Sequence, residues 1–131
     1  MAVVAQKRSD VRLAQCSAGD GVGACVYTTG DRIGGYYQVG TVDPSDRGKM
    51  PAIGMIIQKL TPTTCFVQFR GTVEGVYSDL TPGELLFVGD GGGLDDEMPA
   101  GSSKYVQSVG TSLGSDVFRL EPNLLMTRRR A

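Results

Sequence analysis

The chain has 131 residues, a formal net charge of −1, no histidine and no tryptophan. Without histidine, the Ser-His-Asp and Cys-His routes to an activated nucleophile are closed, and the commonest metal ligand is missing. A charge this small gives no global field that would draw the chain to nucleic acid.

Forty per cent hydrophobic and 21% charged residues fit an ordinary globular protein with one core. Nineteen glycines and six prolines predict many turns and short elements in place of long helices. No apolar run approaches the ~20 residues of a membrane-spanning helix. The segment Met1-Ala2-Val3-Val4-Ala5 is too short for the core of a secretion signal, and Lys7-Arg8 follow it instead of preceding it.

In chain order, residues 1–15 read as an extended N-terminal arm, in which 11–15 form a short strand or a helical turn. Gly19-Asp20-Gly21 signals a turn, and the β-branched and aromatic residues at 24–28 a strand. Thr29-Gly30-Asp31 reads as the next turn and 36–39 as the next strand. Asp43-Pro44-Ser45-Asp46-Arg47-Gly48 is loop chemistry. The apolar run 53–60 predicts a buried strand, Thr61-Pro62-Thr63-Thr64 a turn, and the partly alternating run 65–73 a strand with one wet face. Asp79-Leu80-Thr81-Pro82-Gly83-Glu84 turns the chain into a strand at 85–88. After a glycine-rich loop, 105–109 and 117–120 alternate as strands. Short strands separated by Gly/Pro turns predict an all-β fold, a small barrel or sandwich. The predicted organisation is an arm over 1–15, a single β domain over 16–122 and a basic C-terminal tail over 123–131.

The domain carries a weak internal repeat, about 36–71 and 85–122. Val39-Gly40, Met50-Pro51-Ala52 and Ile53-Gly54-Met55 have counterparts in Val88-Gly89, Met98-Pro99-Ala100 and Val109-Gly110-Thr111. Self-similarity at a fixed spacing predicts one supersecondary unit used twice, with Met-Pro-Ala marking equivalent strand entries.

The chemical motifs favour plain structural readings. Gly19-Asp20-Gly21-Val22-Gly23-Ala24 matches G-x-G-x-x-A. A dinucleotide site needs a helix after that turn, and a strand-like segment follows here. Gly89-Asp90-Gly91-Gly92-Gly93 lacks the Lys-Ser/Thr of a phosphate loop. Asp90, Asp95, Asp96 and Glu97 are hard-cation donors in kind, but their spacing matches no EF-hand, so a solvated acidic loop is the plainer reading. Cys16, Cys25 and Cys65 have neither zinc nor C-x-x-C spacing and read as free thiols in apolar surroundings, suited to a reducing cytoplasm. The sequence therefore names no catalytic residue, cofactor or metal, and predicts a protein that is not an enzyme.

Ile53-Gly54-Met55, the run 67–73, Leu80-Thr81-Pro82-Gly83-Glu84-Leu85-Leu86-Phe87-Val88, Gly91-Gly92-Gly93-Leu94 and Tyr105-Val106-Gln107-Ser108-Val109-Gly110 together resemble a recurring β module of tailed-bacteriophage virion proteins. The module occurs in capsid decoration (head cement) proteins, head-fibre bases and tail-fibre proteins. The resemblance covers about residues 50–120. It departs at Asp95, where the family usually has Thr, and the first fifty residues match poorly.

The resemblance implies a homotrimeric virion structural protein, made in the host cytoplasm and placed on the capsid surface. Its expected partners are the major capsid protein and further copies of itself, with no nucleic acid, membrane or small-molecule substrate. The arm and the basic tail supply the candidate capsid contacts: Val4, Lys7, Arg8, Val11, Arg12, Leu13, Arg128, Arg129 and Arg130. A tail-fibre, head-fibre or collar role is the alternative within the same particle. A small β-barrel hydrolase is disfavoured by the missing histidine, and a carbohydrate-binding module by the missing tryptophan.

Overall fold

The computed structural model describes residues 10–99 and 104–128. In chain order the strands are β1 (Val11–Gln15), β2 (Cys25–Ile33), β3 (Tyr36–Thr41), β4 (Gly54–Thr61), β5 (Thr64–Gln68), β6 (Gly71–Glu74), β7 (Leu85–Val88), β8 (Leu94–Asp95), β9 (Tyr105–Val106), β10 (Ser108–Gly114), β11 (Val117–Leu120) and β12 (Thr127–Arg128). The all-β expectation holds. One turn of 3-10 helix, Arg47–Lys49, interrupts the loop between β3 and β4, where the Asp46 carboxylate accepts from the Gly48 N–H at 2.9 Å.

The strands β1-β3-β2-β4-β5 close into a small barrel, because β1 pairs antiparallel with β5 and parallel with β3. A second sheet runs in the order β6-β11-β10-β7-β8, and β9 pairs with β12 in a separate ribbon.

Alternation along the barrel strands explains how the two layers join. Neighbouring residues of a strand point to opposite faces. In β2, Cys25 and Val26 are both fully buried but belong to different cores, as do Met55 and Ile56 in β4. Val26 and Ile56 point inward with Ala14, Val39, Cys65 and Val67 to fill the barrel. Cys25 and Met55 point outward and pack with Val73, Leu86, Val88, Val109, Phe118 and Leu120 from the inner face of the second sheet. A strand buried on both faces must be apolar on both, which is why 53–60 has no clean alternation.

The structure corrects several boundaries. The turn between β2 and β3 is at Gly34-Gly35, not at Thr29-Gly30-Asp31, which lies inside β2. Gly34 and Gly35 have φ of 60° and 86°, the left-handed region that a tight hairpin requires and glycine reaches without cost. The run 65–73 is two strands: the chain leaves the barrel after Gln68, and Gly71 (φ 109°) delivers it to the second sheet as β6. The arm over 1–15 does not extend to residue 15, because Val11–Gln15 is a barrel strand hydrogen-bonded on both sides; residues 1–9 lie outside the described residues. The tail over 123–131 likewise contains β12.

The two repeat copies fall in different layers. The first copy supplies barrel strands β3 to β5, and the second copy supplies β7 to β11. Met50 is 8% exposed and Met98 50%, so the Met-Pro-Ala segments have unlike surroundings. What the copies share is an antiparallel hairpin, β4–β5 and β10–β11, with glycine near its start. A Cβ on Gly54 would come within 2.6 Å of the Gln68 carbonyl oxygen, and one on Gly110 would overlap the Arg119 carbonyl. Both hairpins need glycine because the partner backbone occupies the place of a side chain.

Candidate interaction surfaces

Of the predicted contact residues, Val11, Arg12 and Leu13 lie on β1, opposite Gln68, Val67 and Phe66 of β5. Arg12 is exposed, while Val11 and Leu13 are half-buried. The Arg12 guanidinium donates to the Val11 carbonyl at 3.1 Å. Arg128 lies on β12, its backbone opposite Tyr105. Strand pairing does not join β1 to β12, so the two ends of the set stand on separate sheets. Val4, Lys7, Arg8, Arg129 and Arg130 lie outside the described residues.

The sequence reading missed a more apolar surface. On the outer face of the second sheet the register places Leu85, Thr111, Arg119 and Thr72 in one row across four strands. Leu85 is 51% exposed and Leu113, two residues along β10 from Thr111, is 56% exposed. The C-terminal run continues the pattern with Leu124 at 60% and Leu125 at 84%. Leu124 and Pro122 line a shallow hollow with Ile53, Phe69 and Arg70, and Pro122 also joins Leu85 and Thr111 in a neighbouring one. Scattered single leucines need no explanation, but Leu85 and Leu113 share one face of the sheet, and Pro122 of the C-terminal run borders it. The signal was present as Leu-x-Phe, Thr-x-Leu and Leu-Leu spacing, but without the register it could not be assigned to a face.

Two polar side chains hold this surface to the barrel, and a third braces the second sheet from within. Gln107 is 1% exposed, and its amide makes both bonds to one residue of the barrel loop: the Ala52 N–H donates to Oε1 and Nε2 donates to the Ala52 carbonyl, each at 2.8 Å. The Tyr77 hydroxyl donates to the Gly23 carbonyl at 2.7 Å and accepts from the Leu94 N–H at 3.0 Å. Burial raises the Tyr77 phenol above its usual pKa of 10.0, with the Leu94 bond opposing. Its ring meets Phe118 edge-on, centroids 6.1 Å apart. Ser112, also 1% exposed, ties the Thr81-Pro82-Gly83-Glu84 turn to β10: its hydroxyl donates to the Thr81 carbonyl and accepts from the Glu84 N–H at 3.0 Å. Gly83 takes φ of 86°, the conformation the Pro-Gly pair predicts.

A polar groove lies on the outer wall of the barrel across β1, β3 and β2, with a cavity of about 600 Å³. Gln15, Ser17 and Asp20 reach it from β1 and the following loop, Tyr27 and Thr29 from β2, and Gln38 from β3. The Gln38 amide donates to Gln15 Oε1 at 2.8 Å. The Asp20 carboxylate is held by the Thr41 hydroxyl at 2.6 Å and the Ser17 N–H at 2.8 Å.

The other sequence motifs fold as loops. Gly19 to Ala24 leads into β2, and the Gly23 N–H donates to the Ile56 carbonyl at 2.8 Å. The glycine loop after β7 closes on itself through the Gly89 N–H and the Gly93 carbonyl at 2.7 Å, and its Gly92 carbonyl receives the Cys25 N–H at 2.7 Å. Asp90 pairs with Lys104 at 2.9 Å. Among the described residues, no group of three acidic, cysteine or histidine side chains is placed to hold a metal ion.

The three cysteines are free thiols. Burial pushes the Cys25 thiol from its usual 9.0 to about 12. Cys65 is raised too, by burial first and then by its hydrogen bond with Cys16.

No protein-family model matches the chain, and no curated protein matches its sequence.

Proposed function

We propose that the chain is a tailed-bacteriophage virion structural protein: a capsid decoration protein that binds the outer surface of the major capsid protein lattice and stabilises the head. The observation that carries this reading is the Thr81-Pro82-Gly83-Glu84 turn, fastened by Ser112 and leading into β7. These residues belong to the stretch that resembles the phage module. The turn sets Leu85 on the outer face of the second sheet, beside Thr111.

The role is adhesive, not catalytic. The exposed leucines at 85, 113, 124 and 125 support self-association, with the homotrimer as the proposed state. Taking a leucine from full exposure to full burial contributes about 1.5–3 kcal/mol, and these partly covered ones contribute proportionately less. Arg12, exposed on β1, and the basic tail through Arg128 are the proposed capsid contacts, together with Val4, Lys7, Arg8, Val11, Leu13, Arg129 and Arg130. The guanidinium groups suit carboxylates on the shell through bidentate pairing. Free thiols fit synthesis in a reducing host cytoplasm before assembly on the capsid surface.

Counting copies by quantitative mass analysis of purified virions tests the role. Decoration predicts hundreds of copies per particle. Copies in the tens, at the tail or a single vertex, would replace it with the fibre or collar reading.

Static light scattering on the pure protein tests the association. The account predicts a trimer mass, falling toward the monomer in a Leu85→Glu, Leu113→Glu double variant. A trimer that survives those substitutions would move the interface elsewhere.

A further inference from the structure

We propose that the groove on the outer wall of the barrel binds a neutral saccharide through vicinal hydroxyls. The inference goes beyond the virion reading and does not depend on it. Its basis is the inventory of hydrogen-bonding groups the groove leaves unused.

The Gln15–Gln38 bond consumes Gln15 Oε1 and fixes both amide planes, and Gln38 Nε2 also donates to the Tyr36 carbonyl at 3.3 Å. Gln15 Nε2 and Gln38 Oε1 then have no partner among the described residues. They stand on paired positions of β1 and β3, a donor beside an acceptor. Two adjacent hydroxyls on a sugar ring offer the complementary acceptor and donor.

The remaining lining fits the same ligand. The Tyr27 hydroxyl and the Thr29 hydroxyl likewise have no partner among the described residues, and Lys49 forms no ion pair there. Asp20 and Lys49 are the charged side chains of the lining and cancel, so the groove selects neither an anion nor a cation. Asp20 is fastened on both oxygens, which orders the rim without a ligand present and lowers the entropy cost of binding. Gly40, opposite Tyr27 in the register, leaves room for that ring: a Cβ there would meet Tyr27 Cε1 at 3.3 Å. The ring is the aromatic surface against which the C–H face of a sugar can rest. An extended peptide would share the amide complementarity, but it takes its affinity from apolar side-chain pockets, and this groove is lined by hydroxyls and amides.

The test is backbone-amide NMR titration of the pure chain with neutral oligosaccharides of glucose, mannose, galactose and N-acetylglucosamine, and with a Gly-Ser peptide as the competing class. The proposal predicts saturable shifts from at least one saccharide, clustered at Gln15, Tyr27, Thr29 and Gln38. It predicts that Gln38→Ala weakens binding at least about tenfold. Tyr27→Phe keeps the ring and its packing and is predicted to weaken binding by a smaller factor, with thermal midpoints reporting that both variants are folded. No shift with any saccharide at millimolar concentration overturns the proposal. So do shifts that map outside the groove, equal binding by both folded variants, or binding of the peptide alone.

Discussion

At Gln107, both polar atoms of one side-chain amide meet both backbone groups of Ala52, in a site closed to water. Removing that amide leaves a buried N–H and a buried carbonyl without partners, at about 1–3 kcal/mol each. Gln107→Ala is therefore expected to lose about 2–4 kcal/mol in urea unfolding, and a loss below about 1 kcal/mol would show that water replaces the amide. Cys25 gives a second prediction. Its folded pKa of about 12 lies above its usual 9.0, so its contribution is complete below the lower value and is lost as pH rises through the upper one. The unfolded chain releases the proton first, and that pulls the equilibrium toward unfolding. Cys65, also raised, acts in the same direction over the same range, and Tyr77 at higher pH. Urea midpoints should fall as pH rises from about 9 toward about 12, and the fall should be shallower in Cys25→Ala. Equal falls in the two proteins would remove Cys25 as a cause. The sequence identified Cys25 as a buried free thiol, because a cysteine inside a β-branched run has few other fates. It gave no sign of Gln107, which lies in an alternating run where a glutamine is expected to face water.

At the scale of the strand and hairpin, the two repeated glycines are the clearest case of sequence meaning more than it displayed. Ile53-Gly54-Met55 and Val109-Gly110-Thr111 looked like a duplicated supersecondary unit, and their layers and neighbours differ. The shared constraint is local: a partner carbonyl stands where a Cβ would go. Gly54→Ala and Gly110→Ala are each expected to cost about 2–3 kcal/mol in chemical unfolding, through displaced backbone. Gly21→Ala, whose added Cβ meets nothing within 4 Å, serves as the control and should stay within about 0.5 kcal/mol of the parent. If all three cost the same, chain entropy and not close approach explains the glycines. Strands β3, β4, β7 and β11 were legible because composition and turn residues bracket them. The break between β5 and β6 was not, since Phe69-Arg70 continues an apolar-polar pattern and only the positive φ at Gly71 redirects the chain. The β2–β3 turn was misplaced for a related reason: Gly30 inside a strand and Gly34-Gly35 at its end carry the same letter.

For the whole molecule, closure of the barrel depends on β1, whose partners are residues 36–41 and 64–68. Pairings that distant leave no periodic trace in sequence, so this strand read as part of an arm. Its recruitment moves the first described contact residues from a free extension to the barrel wall. Leu85 and Leu113 on the outer face, with the exposed leucines of the C-terminal run, then carry the proposed self-association. The polar groove on the barrel wall is separate in chemistry and in the residues that line it. The central claim, a protein that coats the outside of a phage head, is tested most directly by electron microscopy of virions carrying a label on this chain. The account predicts label spread over the whole shell. Label confined to the tail or to one vertex, or particles that carry none, would contradict it.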